Sequence, residues 1–331
     1  MTLLDDRAVQ WWSVAPVTAA HHARIADFLA TTGGLGGRKF AADSRDVAEQ
    51  LESAYPDAAV TVRDASGVVR GYAVLHQPHG IEPEILADFV FDPLTPHEVV
   101  DDLVGATVDR FRREADAVAG AYLRAFVGSC QSGVVDALRR RGARREGQFI
   151  RTRKSLDDID LASLEAASVD GLRVFDWAEV LGRGLSEQVR RLQYDTFDEH
   201  FGNMSKTPEE WEHHLHSRAF TPDFSLAVVD DADHVVGYVL GSTYTAGVAE
   251  AQEISAHTDY IGVHRDHRRQ GVAELLLTKV WLAALRRGLR LASLGTDVDN
   301  RSKAHVLYQR LGYVAVEHES AYRIDIGEVT T

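Results

Sequence analysis

The stretch Arg268-Arg269-Gln270-Gly271-Val272-Ala273 has the make-up of an anion-binding turn. A short apolar strand ending Ile261-Gly262-Val263 leads into it, with Arg265, His267, Arg268 and Arg269 clustered before the glycine. After Gly271, the residues Val272, Leu275, Leu276, Val280, Ala283 and Ala284 recur at i, i+3 and i+4, which is the stripe of an amphipathic helix. Arg286 and Arg287 occupy its last turn and Gly288 follows, as a helix C-terminus favours. Amides at a helix start are unpaired and carry partial positive charge, and glycine lets the backbone approach a phosphate closely. Strand, basic glycine turn and helix together make a cradle for a phosphate. The same residues also fit a plain turn with a solvated arginine rim, and the loop alone does not separate the two.

The elements that would position this loop occur twice. Val60–Leu75 alternates apolar and polar residues around Asp-Ala-Ser-Gly, and Ser225–Leu240 does so around Asp-Asp-Ala-Asp, so each predicts a hairpin. Tyr122–Arg153 and Ala292–Arg323 each read as a strand, a helix stopped by glycine (Gly142, Gly312) and a second strand. Two pairs in the same order at nearly the same offset indicate two copies of one α+β unit, residues 1–156 and 172–327, joined by the polar stretch Ser155–Gly171.

Arg268-x-x-Gly271-x-Ala273, after a strand ending Ile-Gly-Val, resembles the Arg/Gln-x-x-Gly-x-Gly/Ala signature of the GNAT superfamily of acyl-CoA N-acyltransferases. The segment from Asn300 through Tyr308 to Gly312-Tyr313 is similar to the family's second motif, and the tandem layout most resembles the mycothiol synthase-like branch. The resemblance implies an α+β fold of two tandem GNAT-like domains, each a mixed, mostly antiparallel sheet flanked by helices. It implies acetyl-CoA as co-substrate, held by Ile261, Val263, Arg268, Arg269, Gln270, Gly271, Val272 and Ala273, with Asn300 near the cofactor arm. It also implies that the oxyanion donor is a backbone amide at Val263 or its neighbour.

Acyl transfer from a thioester to an amine needs a neutral amine, a polarised carbonyl and a protonated leaving thiolate. Tyr308 suits the last, because a phenol of pKa about 10 is protonated at neutral pH and lies near a thiol at about 8.5. His257, Asp259 and Ile261 share one face if the strand keeps its two-residue period, so Asp259 and His257 are the candidate bases, with Glu253 third. The family often carries glutamate where His257 stands, which leaves the base open. Leu185–Arg218, with Tyr194, Phe197, Asp198, His200, Phe201 and Trp211, is expected to contact a cationic amine, although such aromatics also form core.

In the N-terminal copy Leu138 falls on the position of Tyr308 and Cys130 on that of Asn300. Its loop lacks glycine and carries Asp92, Glu98, Asp101 and Asp102, which would repel a pyrophosphate. That copy is expected to be degenerate and to buttress the other, with Cys130 a buried small residue. The Thr32–Phe40 glycine loop lacks the strand and Ser/Thr of a phosphate loop, and Trp211–His216 lacks zinc-site spacing, so no metal is expected.

Fifty acidic against 36 basic residues give a net charge of −14, which argues against a general nucleic-acid binder and against docking on an anionic membrane. One cysteine, with no apolar run near about 18 residues, fits a cytoplasmic protein, monomeric or homodimeric. The reading is an N-acetyltransferase acting on a primary amine of a small molecule by direct attack in the C-terminal domain. Its alternatives are an antibiotic- or aminoglycoside-like acceptor, and a CoA-responsive binding module without turnover.

Overall fold

The computed structural model describes residues 12–32, 43–78, 82–197, 204–246, 253–299 and 303–326. The first half runs β1 (Ser13–Pro16), α1 (His22–Thr31), α2 (Ser44–Leu51), β2 (Ala54–Arg63), β3 (Val69–His76), β4 (Glu84–Phe91), α3 (His97–Ala115), β5 (Tyr122–Gly128), α4 (Ser132–Arg140) and β6 (Arg144–Ser155). A short helix, α5 (Leu161–Ala166), follows. The second half runs β7 (Arg173–Asp176), α6 (Trp177–Gly182), α7 (Ser186–Phe197), α8 (Pro208–His216), β8 (Leu226–Val229), β9 (Val235–Ala246), β10 (Glu253–Val263), α9 (Val272–Arg286), β11 (Leu291–Asp297), α10 (Ala304–Arg310) and β12 (Val314–Asp325).

Both expected hairpins form, and for the same local reason. Asp64 accepts from the amides of Ser66 and Val68, and Asp230 from those of Ala232 and His234, so one carboxylate ties each turn. The stretch read as a connector is not a free linker. Leu164 of α5 is buried, and Lys279 of α9 donates to the carbonyls of Leu164 and Glu165 at 2.9 and 3.0 Å.

The twelve strands form one sheet in the order β1-β2-β3-β4-β5-β12-β6-β11-β10-β9-β8-β7. Among the described residues only β4–β5 and β10–β11 pair in parallel. The last strand of each half is exchanged: β12 pairs with β5, β6 pairs with β11, and the two pair with each other. Each half thus receives a strand from the other, and no long edge is left at the middle of the molecule. One core lies between α3, α4 and the first-half strands, and another between α9, α10 and the second-half strands. The opposite face of the second half is covered by α6, α7 and α8.

Candidate active site

Strands β10 and β11 pair only from Ala256–Thr258 with Ala292–Leu294. Beyond that point β10 stays on β9 as far as Val263, while β11 runs on beside β6 as far as Asp297. A gap opens between them, and alternate backbone amides of residues 259–263 face it, because an antiparallel strand turns only every second residue toward its partner. The amino end of α9 lies at the mouth of this gap. Arg269 and Gly271 adopt left-handed φ of 62° and 84°, and Gly271 is the N-cap. The first amides of the fifteen-residue α9 are therefore offered outward. A second glycine sets the depth of the helix start: a Cβ at Gly237 of β9 would lie 2.6 Å from Cγ1 of Val272.

Gap and helix start open into a cleft of about 1120 Å³. Of the expected cofactor contacts, Ile261, Val263, Arg268, Arg269, Gly271, Val272 and Ala273 line it. Gln270 is not among its lining residues, because its amide donates to the Asp266 carbonyl at 3.0 Å and closes the turn instead. Asn300 lies outside the described residues. Arg268 donates from Nε to the Val263 carbonyl at 3.2 Å, which fixes its side chain beside the gap.

Tyr308 projects from α10 into the same cleft and is 7% exposed. Its ring meets Tyr313 edge-on at 6.1 Å, and Trp281 donates to the Tyr313 hydroxyl at 2.9 Å, so the turn after α10 is anchored on α9. Burial pushes the Tyr308 phenol up to about 12, which keeps it protonated across the physiological range.

Asp259 and His257 both face this cleft, but not through regular alternation. The register on β9 slips between Thr258 and Tyr260, leaving Asp259 as the extra residue of a β-bulge. The bulge corrects the expected face: Tyr260 packs with the α7 side, whereas Ile261 packs on the α9 side. Asp259 remains with His257 because both meet Ser242's side of the sheet, where the Ser242 hydroxyl donates to Asp259 at 2.9 Å. Burial pushes the Asp259 carboxyl up to about 7, against the lowering effects of the Ser242 bond and of Lys206. His257 Nδ1 lies 2.8 Å from the Ser293 hydroxyl, and its ring stacks on Tyr244 at 5.5 Å. Glu253 is bound by Arg151 and Arg153 at 2.9 and 3.1 Å, so its carboxylate is engaged in ion pairs.

The residues expected to contact an acceptor do not all reach the cleft. Phe197 lines the cleft and meets Tyr260 edge-on at 5.3 Å. Trp211 is core instead, 2% exposed and packed beside Trp177, and Tyr194 lies at a separate surface with Arg190 and Arg191. Asp198, His200 and Phe201 lie outside the described residues. His214 lines the cleft, and burial pushes its imidazole down to about 3.

Equivalent positions of the first half are closed. Gly71 pairs with Phe91 as Gly237 pairs with Val263, so Phe91 occupies the place of Val263. The Gln131 side chain accepts from the Phe91 amide at 3.2 Å and donates to its carbonyl at 2.8 Å, filling that gap with protein. Leu138 is fully buried where the other half has Tyr308. The expected repulsion is partly cancelled, since Asp92 pairs with Arg70 and Asp101 with Arg140 and Arg141. Asp92 also accepts from the Leu94 amide at 2.8 Å, so the loop satisfies itself. The glycine loop at 33–40 lies outside the described residues. Cys130 is exposed rather than buried, because it sits in the tight turn in which the Gln131 amide bonds to the Gly128 carbonyl.

Residues 222–315 match the family described as an acetyltransferase (GNAT) domain. The whole chain has a tandem GNAT fold. It superposes on a GCN5-related N-acetyltransferase from Sphaerobacter thermophilus with a TM-score of 0.73 and 21% identity, over 97% of this chain and 96% of the other. A tandem GNAT protein from the clavulanic acid biosynthesis pathway gives 0.67 and 19%, over 95% and 98%. N-myristoyltransferase of Saccharomyces cerevisiae gives 0.58 and 10%, over 98% and 80%. No curated protein sequence matches the chain significantly. Among the described residues no helix is long and apolar enough to cross a membrane.

The sequence reasoning missed Ser242, Lys206, Arg151 and Gln131. Only Gln131 left a trace, as an amide aligned with Arg301 across the repeat.

Proposed function

We propose that the protein is an acetyl-CoA-dependent N-acetyltransferase, with residues 172–327 as the catalytic unit and residues 1–156 as a degenerate copy. The acceptor would be a primary amine of a small molecule. One observation carries the reading: the gap between β10 and β11 opens between the free amides of α9 and the buried Tyr308 hydroxyl. These residues suit an acyl-CoA. The α9 amides with Arg268 and Arg269 meet the demand of a pyrophosphate, and the unpaired β10 backbone meets that of an amide-bearing arm.

The chain's own groups divide the chemistry. Asp259, poised near neutrality, takes a proton from the incoming ammonium. The amine nitrogen then forms a bond to the thioester carbonyl carbon, the carbon–sulfur bond breaks, and its electron pair leaves on sulfur. A backbone amide at Val263 or beside it holds the carbonyl oxygen while negative charge develops there. Tyr308 gives sulfur its proton and recovers one from water, and the nitrogen sheds its second proton to water. Direct attack suits the site. No cysteine lines the cleft among the described residues, and the Ser293 hydroxyl beside His257 is fully buried and outside the lining. Release of CoA from acetyl-CoA, followed over a panel of amines, tests the reading. Tight acetyl-CoA binding with no turnover of any amine would make the protein a binding module instead.

A further inference from the structure

The cleft does not stop at the reacting groups. It runs on past β11 to the exchanged strands, where Phe149 and Arg151 of β6 and Glu317 and Glu319 of β12 form its far wall. Gly295 of β11 floors this arm: it pairs with Arg151, which pairs with Glu317, so the three form one row across the sheet. A Cβ at Gly295 would meet nothing within 4 Å, so the floor is bare. Arg151 lies over the Tyr244 ring at 4.8 Å, and its two terminal nitrogens are taken by Glu253 and Glu317 at 2.9 and 2.8 Å. Two carboxylates thus offset its charge, while its Nε is buried without a hydrogen-bond partner. Glu317 is only half satisfied. Its Oε1 is bonded to Arg151, while its Oε2 is buried with no hydrogen-bond partner. A buried carboxylate oxygen left without a donor is costly, and a ligand that supplies a donor removes that cost. Two regular strand spacings, about 10 Å, separate β11 from β12, and the opened gap between β10 and β11 adds to that span.

Resting on the acetyltransferase reading, we propose that this arm is a second subsite, in which Glu317 Oε2 receives a distal ammonium of an elongated diamine or polyamine acceptor. The reacting amine would lie at Asp259 while the distal cation lies between Glu317, Glu319 and Phe149 at the strand exchange. The first half would then supply part of acceptor selection through β6, even with its own gap closed by Gln131.

The matched probes are 1,8-diaminooctane and octylamine, which have equal reach and differ by one ammonium. The wild-type protein should acetylate the diamine with at least tenfold higher kcat/KM. Glu317→Gln should bring the ratio of the two toward one, with the KM for acetyl-CoA held. Gly295→Leu, which fills the bare floor and leaves every ion pair intact, should raise the KM of the diamine at least tenfold. Equal use of both amines by wild type, or a ratio unmoved by both substitutions, overturns the second subsite. Failure to acetylate either amine or any simple amine, with acetyl-CoA bound, would instead count against the acetyltransferase reading, so the two failures are distinguishable.

Discussion

Asp259 answers to two opposing demands, and both can be measured. A base that works on an ammonium must be ionised near neutral pH, yet burial holds this carboxyl up to about 7. The acceptor kcat/KM should therefore rise as pH passes through about 7, and Asp259→Asn should lower it about 10²-fold or more while flattening that rise. A profile unchanged in Asp259→Asn would remove the residue as the base and turn attention to His257. The same shift sets a stability trend. The folded carboxyl titrates above its unfolded value of 3.8, so the stability of the neutral form is fully present below about 4 and is lost as pH rises through about 7. An asparagine side chain cannot ionise, so the Tm gain of Asp259→Asn over wild type should be near zero at pH 4 and reach a few degrees at pH 8, after discounting for water in the cleft. Thermal scans at the two pH values check this. Tyr308→Phe keeps the packing against Tyr313 and removes only the proton, so acetyl-CoA affinity should hold while kcat falls about 10²–10⁴-fold. A normal single-turnover rate in that variant would take Tyr308 out of the chemistry.

At the scale of elements, the cradle depends on how closely α9 lies on β9. Gly237 permits that approach, and a leucine there would drive a side chain into Val272, whose Cγ1 lies 2.6 Å from the position of a Cβ. Overpacking of this kind costs about 1–3 kcal/mol and displaces the helix start. Gly237→Leu should weaken acetyl-CoA binding at least tenfold by calorimetry in a protein that still folds, and unchanged affinity would place the phosphates away from α9. The importance of α9 was legible in the sequence, because its loop, stripe and terminal arginines are all local signals. So were the hairpins, whose turns are written in Asp64 and Asp230. The face of Ile261 was not legible. A bulge is a property of two paired strands, and nothing within 253–263 alone marks Asp259 as the extra residue. Gln131 stood out only as an amide opposite Arg301 in the repeat, and its bonds to Phe91, 40 residues away, were not legible for the same reason. Local chemistry is carried by neighbours in sequence, whereas the closure of one gap and the shape of the other depend on pairing at long range.

At the scale of the molecule, repetition was visible in the sequence but exchange was not, because a repeat fixes which strands exist and not which half receives them. Exchange ties the halves together: β6 lies between β12 and β11, so residues 157–331 alone would expose both β11 and β12 along unpaired edges. The repeat nevertheless invites the expectation of two cofactors per chain, and the structure argues for one. In the second half the strands part and leave backbone and helix amides open to the cleft; in the first, the Gln131 side chain bonds both the amide and the carbonyl of Phe91 at 3.2 and 2.8 Å. A ligand entering there would have to displace both bonds. It would also meet a loop whose Leu94 amide is already taken by Asp92, and a buried Leu138 in place of a proton donor. Titration calorimetry with CoA should therefore give one site per chain, and Gly271→Glu, which sets a carboxylate at the start of α9, should abolish that single site without revealing another. A stoichiometry of two, or residual binding of similar affinity in folded Gly271→Glu, would mean that the first half still holds CoA despite Gln131.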